Sequence, residues 1–226
     1  MGDPGGGSDF AGFYNHLGIP IADWGFGGPQ GIYHSAYDSH HWMSKFGDPR
    51  FEFHATAAKI GAAMLLRLAN ADVLPYDYVE FARTMQRFAA QAGQAIKEKH
   101  WTVAVDSLTH AIGRMETAAI AFNEARDRAL ATHPSTDQLK QANSALLETE
   151  RQLTRSEGLA TRTWFRNLIY ASDENNGYAT MVFPSVGEAI RLGDEKVVTR
   201  EIADLAARFD AATRALQRST DILRRM

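Results

Sequence analysis

The sequence predicts a mainly α fold, a helical bundle of the four-helix kind preceded by a small α/β portion. Three observations carry this. From Phe53 onward apolar residues recur at spacings of three and four through successive segments, the period of one helix face. Three of those segments open on a capping signal. Residues 1 to about 50 have another texture, with nine of the first twenty-eight positions glycine and one helix-to-strand unit among loops.

Composition sets the bounds. At 226 residues and 45% hydrophobic content, the chain can bury a real core, as one large domain or as a small unit joined to a larger one. Its 24 Lys and Arg against 27 Asp and Glu leave a net charge of -3, with no basic run interleaved with aromatics, which argues against a nucleic-acid partner. The apolar runs are short and broken by charge, and Met1-Gly2-Asp3 opens on a glycine-rich turn, so neither a membrane span nor a signal peptide is expected. A soluble chain follows. The absence of cysteine excludes disulfides and thiolate metal sites and leaves the compartment open.

Taken in order, "GGGSDFAGFYNHLGIP" reads as a turn and a short helix. Ser8 or Asp9 is the expected N-cap, Phe10, Phe13, Tyr14 and Leu17 share a face, Gly18 takes the left-handed position and Pro20 stops the helix. "IPIADWGF" then fits a short buried strand whose neighbours must come from elsewhere. Asp48 with Pro49 predicts the start of a helix over about 49–71, carrying Phe53, Ala57, Ile60, Met64, Leu65 and Leu68 on its apolar face. Asp77 and Glu80 form a capping box ahead of Phe81, Met85, Phe88, Ala92 and Ile96. Leu108, Ile112, Met115, Ala119 and Phe122 mark a third helix, and Ser135 with Gln138 caps a fourth bearing Leu139, Ala142, Leu146 and Leu153. A final helix runs through Val198, Ile202, Leu205, Phe209, Ala212, Leu216 and Leu223, a seam of coiled-coil type.

Between the last two helices lies a segment of about 156–193 that is too long for a mere connector. Its Trp164, Phe165, Ile169, Tyr170, Tyr178, Val182 and Phe183 require something to bury against, while Asn175-Asn176-Gly177 is a turn that presents Tyr178 at a surface.

The motifs "GGGSDFAGFYNHLGIP", "YHSAYDS", "FGDPRFEFHATAAKIGAAMLLRLANADVLPYDY" and "RNLIYASDENNGYATMVFPSV" occur in this order. Together they resemble the C-terminal third of glutamate carboxypeptidase II and its relatives, the zinc exopeptidase family that also contains transferrin receptor. The resemblance implies that residues 1–72 are the end of a peptidase α/β domain and that 73–226 form a transferrin receptor-like helical dimerisation domain, with a pocket-forming loop at about 156–193. It implies a homodimer, and a peptide substrate in the intact enzyme. It is also compatible with an extracytoplasmic parent.

On the same resemblance, His34 of "YHS" is a zinc ligand. The other ligands of a two-zinc centre, and the general-base glutamate, lie upstream of this chain in the family. Neutral imidazole suits zinc, which lowers the pKa of a bound water and polarises a scissile carbonyl. Tyr33 matches the tyrosine that donates to the tetrahedral oxyanion, Tyr178 a substrate-binding tyrosine, and Ser8 a residue of the loop lining the pocket. Read without the family, His34 is simply a structural or solvated histidine, like His40 and His41, the tyrosines are amphipathic core residues, and Ser8 is a cap.

One departure bears on specificity. Members selecting a C-terminal glutamate carry a lysine just before the loop tyrosine, and here Gly177 stands there. The carboxylate-binding charge is absent, so an aminopeptidase or dipeptidase of other preference is open beside a carboxypeptidase. With one imidazole and no accompanying ligand set, the chain alone is expected to hold no tight zinc and to hydrolyse nothing. The alternative is a non-catalytic binding or oligomerisation module.

Overall fold

A computed structural model describes residues 3–4, 6–28 and 31–226; Met1, Gly2 and Gly5 of the expected opening turn lie outside the described residues. The chain divides into two compact units, one of residues up to Ile21 together with Asp72–Met226, the other Ala22–Ala71.

In the larger unit the helices are α3 (Tyr78–Glu98), α4 (Asp106–Leu130), α5 (Thr136–Arg151), α6 (Pro184–Leu192) and α7 (Glu195–Leu223), with a two-stranded sheet of β1 (Tyr170–Ser172) and β2 (Thr180–Val182) between α5 and α6. The long α7 is the spine. It packs along α4 and α5 and touches α6, while α3 lies against α4. All seven seam residues predicted on α7 are buried, as are Leu108, Ile112, Met115, Ala119 and Phe122 on α4. On α3 the outer members of the stripe, Phe81 and Ala92, are only partly buried against this core.

The helix starts follow from local hydrogen bonding. Ser135 and Gln138 form the full reciprocal box, each side chain meeting the other's backbone. Asp77 caps α3 by accepting from the Glu80 N–H at 3.0 Å. The return bond is absent, because the Glu80 carboxylate turns to Thr84 and Arg87 on its own helix. Asp194 caps α7 through the N–H groups of Lys196 and Val197.

The N-terminal helix is a single wide turn, Gly12–His16, capped by Ala11 without a side-chain bond. Neither Ser8 nor Asp9 caps it, since the turn starts later than expected and the Ser8 carbonyl, not its hydroxyl, accepts from Ala11. Gly18 does take the left-handed conformation, φ 66°.

The smaller unit holds α1 (His40–Trp42), which runs on into a π-turn over Met43–Gly47, and α2 (Glu52–Ala69). Asp48 is not the cap residue and Pro49 is not the first helical position, because Phe51, at φ 53°, occupies the cap. The Asp48 carboxylate nevertheless serves the helix start from outside it, accepting from the N–H of Glu52 at 2.9 Å and of His54 at 3.0 Å. The expected strand at "IPIADWGF" is not formed. Among the described residues nothing pairs with it, and an unpaired strand has no ladder to hold it. Instead Trp24 donates from Nε1 to the Ala57 carbonyl at 3.1 Å and lies over Gly61, where a Cβ would come within 2.4 Å of the ring. The apolar face of α2 is helical as predicted but not buried. Phe53, Ile60, Leu65 and Leu68 are exposed, and Gly61 is the one buried residue of the helix.

Among the described residues, no helix is long and apolar enough to cross a membrane.

Candidate pocket wall and metal-ligand turn

The segment between α5 and α6 is ordered by asparagines. Asn167 accepts at Oδ1 from the N–H of Ile169 and Tyr170, at 2.8 and 3.0 Å, fixing the entry to β1. Asn15 Nδ2 donates to the Tyr170 carbonyl at 2.8 Å, and the Asn15 carbonyl accepts from the N–H of Arg166 and Asn167. The N-terminal turn is thereby stitched to the start of the hairpin. β1 and β2 pair antiparallel with Tyr170 opposite Val182 and Ser172 opposite Thr180.

The hairpin turn is built on Asp173. Its carboxylate accepts from the N–H of Asn175 at 2.8 Å and of Asn176 at 3.3 Å and is paired with Arg191 of α6. The Arg191 guanidinium and those turn amides hold the carboxyl at about 2. Beneath the turn, Arg162 stacks on Phe165 at 4.5 Å, donates to the Ser172 carbonyl at 2.8 Å and pairs with the buried Glu188 of α6.

Against this turn sits the glycine loop. A Cβ on Gly6 would lie 1.9 Å from the Gly177 carbonyl oxygen, and one on Gly7, at φ 72°, would lie 2.6 Å from the Tyr178 ring. Only glycine permits that approach. Ser8 follows Gly7 directly, so the structure brings the neighbourhood of Ser8 onto Tyr178, both exposed. Tyr178 is not a core tyrosine.

Tyr33 and His34 lie in the smaller unit, in a turn closed by the Ser35 N–H to the Ile32 carbonyl at 2.9 Å and the Asp38 N–H to the Ser35 carbonyl at 3.1 Å. Their rings stack at 3.9 Å, and both are exposed. His34 has φ 58°, a left-handed conformation that a non-glycine residue adopts at a cost of about 1–3 kcal/mol. Among the described residues no group of three or more His, Asp and Glu side chains could hold a metal ion. The described residues therefore do not by themselves form a zinc site.

Sequence reasoning missed two arrangements. One is the pair Asp173 and Arg191, together with α6 itself. Pro184 as the first helical residue and Gly193 in the left-handed C' position were the available signals. The other is the Asp48 and His54 pair, with His54 Nδ1 2.7 Å from Asp48 Oδ2. Burial alone would raise the Asp48 carboxyl, but the bonds from His54 and the helix amides outweigh it and hold the carboxyl below its ordinary value. An apolar concavity lined by Phe26, Trp42, Phe46 and Phe53 adjoins this pair.

A third feature is a partly buried carboxyl. Glu150, near the end of α5, sits close to Tyr14, Tyr76 and Tyr78 and has no ion pair among the described residues. Burial pushes it up to about 7. Burial and this carboxylate together raise the phenols of Tyr14, Tyr76 and Tyr78.

The larger unit is thus a helical domain around one long C-terminal spine, carrying a clamped hairpin between its last helices. Residues 103–217 match the transferrin receptor-like dimerisation domain, and the chain belongs to that family. Over 189 residues, 82% of this chain and 26% of the relative, it is 35% identical to "Probable glutamate carboxypeptidase LAMP1" of Arabidopsis thaliana. It is 25% identical over 241 residues to aminopeptidase NAALADL1 of Rattus norvegicus, covering 98% of this chain and 32% of that one. A further relative, 25% identical over 221 residues, 91% of this chain and 27% of its own length, is an inactive zinc metalloprotease of Schizosaccharomyces pombe. The chain thus spans about a third or less of the length of the curated relatives it matches.

Proposed function

We propose that the chain is the C-terminal part of a glutamate carboxypeptidase-like zinc exopeptidase. In this reading residues 1–72 complete a peptidase domain, and 73–226 pair two subunits as a homodimer and supply one wall of the substrate pocket. The observation that supports it is the seating of the Gly6-Gly7 loop on the hairpin turn, with Gly7, the neighbour of Ser8, against the Tyr178 ring on a clamped, exposed surface. A surface held by Asp173, Arg191, Arg162 and Glu188 keeps its shape, as a pocket wall must.

His34 is the residue that would hold zinc, in company with ligands from the remainder of the parent. Zinc supplies Lewis acidity and an activated water when bound. The left-handed backbone at His34 supports a constrained role, since strain of that kind persists where a side chain must be aimed. Tyr33, beside it, donates its phenolic hydrogen to the oxygen that gains charge in the tetrahedral intermediate. Tyr178 donates one hydrogen bond to the bound peptide, and Ser8 lines the same wall. Gly177 puts no cation at the position just before Tyr178, so recognition there rests on a neutral hydrogen bond and the preference is not for a C-terminal glutamate.

In this reading the chain alone is catalytically silent, because the described residues hold no metal-ligand set and the family's general base belongs to the remainder of the parent. Zinc titration by calorimetry with turnover of a panel of dipeptides and aminoacyl substrates tests this. The expected result is weak zinc binding at most and background hydrolysis. Tight stoichiometric zinc and turnover, both lost in His34→Ala, would sink it. A non-catalytic parent is the second reading, supported by the likeness to an inactive zinc metalloprotease. The same substrate panel applied to the longest open reading frame containing this sequence separates the two.

A further inference from the structure

We infer that Asn176 is a self-modifying site, an asparagine that closes on the Gly177 nitrogen to a succinimide and opens to aspartate and isoaspartate. Three features of the hairpin turn converge on this chemistry.

The nucleophile is open. Asn176 and Gly177 are both exposed, and a Cβ placed on Gly177 would meet nothing within 4 Å. Among the described residues, the Gly177 N–H donates to no backbone carbonyl.

The electrophile is oriented. Asn176 Oδ1 accepts from the Tyr178 N–H at 3.2 Å, and the ring closed by that bond contains both the Asn176 Cγ and the Gly177 nitrogen. The carboxamide is therefore folded forward over the atom that must attack it, which removes part of the entropy cost of ring closure.

The electrophile is also polarised. The same N–H that orients Oδ1 draws electron density from Cγ and stabilises the charge that develops on Oδ1 during attack.

The steps balance with water as the one co-reactant. The Gly177 nitrogen gives up its proton to solvent and forms a bond to Asn176 Cγ. The bond from Cγ to the side-chain nitrogen breaks, and ammonia leaves with a proton from solvent. Water then adds to either imide carbonyl. Cleavage at Cγ gives aspartate. Cleavage at the main-chain carbonyl gives isoaspartate, in which the chain runs through Cβ and Cγ.

Other asparagines lack this combination. Asn175 is followed by a residue with a side chain, and Asn15 and Asn167 are buried and committed to the hairpin. Asn70, Asn123 and Asn143 precede Ala, Glu and Ser.

Isoaspartate inserts one extra main-chain atom ahead of Gly177. Its carbonyl is the group that Gly6 approaches so closely, and Tyr178 is the ring against Gly7. The glycine loop is thereby unseated, and the wall carrying Tyr178 loses its shape. This consequence for a pocket rests on the proposed function; the chemistry at Asn176 does not.

The test is incubation of the purified 226-residue chain at mildly alkaline pH, followed by peptide mapping that separates aspartate from isoaspartate. Methyl transfer by an isoaspartyl methyltransferase gives an independent count. The excised hairpin peptide is run in parallel. Amide-to-acid conversion is expected to accumulate at Asn176 several-fold faster than at Asn175, at a rate no lower than in the free peptide. Gly177→Ala, which the open space around Gly177 accommodates, is expected to slow it several-fold with the melting temperature unchanged. Equal rates at Asn175 and Asn176 would overturn the inference, as would undiminished conversion in Gly177→Ala. So would a folded chain that stays intact while the peptide reacts, since the turn would then protect the site. None of these readouts depends on peptidase activity.

Discussion

Glu150 makes the stability of the larger unit fall as pH rises through a window set by one carboxyl. Its folded value is raised from 4.5 to about 7 by burial near Tyr14, Tyr76 and Tyr78. Below 4.5 the folded and unfolded chains both hold the proton, and the group is neutral in its effect. Between 4.5 and about 7 the folded chain keeps a proton that the unfolded chain has released, so folding loses ground with every rise in pH. Above about 7 the group is ionised in both states, and the loss is complete. At about 1.4 kcal/mol per pH unit across that window, the ionised carboxylate costs the folded state about 3 kcal/mol. The nearby phenols are themselves raised and add no charge near neutrality. Glu150→Gln keeps the shape and removes the charge. The variant should match the parent at pH near 4.5 and exceed it by about 3 kcal/mol at pH near 8, a melting shift of roughly 6–12 °C for a chain of this size. Urea denaturation followed by helix signal at both pH values measures it. A difference that does not change with pH, or a glutamine variant less stable than the parent at pH near 8, would refute the reasoning.

Phe183→Ala should destabilise the larger unit by roughly 3 kcal/mol or more, since the ring is 1% exposed and meets Phe88 and Phe209 edge-on; an unchanged melting temperature would count against it. The chain should sediment as a homodimer at micromolar concentration, as a family that pairs subunits requires, and a purely monomeric profile would remove the pairing role. Asp48→Ala should fray the first turn of α2, by about 1–2 kcal/mol, read as faster amide exchange at Glu52 and His54 than in the parent.

The parts legible in the sequence are those whose surroundings lie close by in the chain or repeat with a period. The α7 seam is the clearest case. Its spacing of three and four fixed both the helix and the buried face, because a long helix in a bundle meets the same core at every turn. The box at Ser135 and Gln138 was equally plain, being complete within four residues. Asp77 was half legible, since a motif names the cap but cannot say that Thr84 and Arg87 compete for the Glu80 carboxylate. α6 was missed inside a segment read as one loop, although its turns carry apolar residues and its ends carry proline and glycine. The seating of Gly6 on Gly177 joins positions far apart in the chain and was beyond any local pattern.

Periodicity also says nothing about what covers an apolar face, and α2 shows the cost of forgetting it. The stripe of Phe53, Ile60, Leu65 and Leu68 is as regular as that of α4, yet α4 is buried and α2 is exposed. Among the described residues of Ala22–Ala71 only Asp48 and Gly61 are buried, and neither brings an apolar side chain to a core. At about 25 cal/mol per Å² of apolar surface removed from water, a unit with no apolar core gains almost nothing to offset the entropy of ordering its chain. Further stabilisation of this unit would have to come from surface it buried against another body. The larger unit needs no such help, because its spine meets α4, α5 and α6 within the same chain. The candidate site follows the same division. Tyr178 and Ser8 stand on a surface that the larger unit builds by itself. Tyr33 and His34 stand on a turn in the unit whose described residues form no apolar core, so no packing within that unit fixes its shape as the clamped hairpin fixes the other.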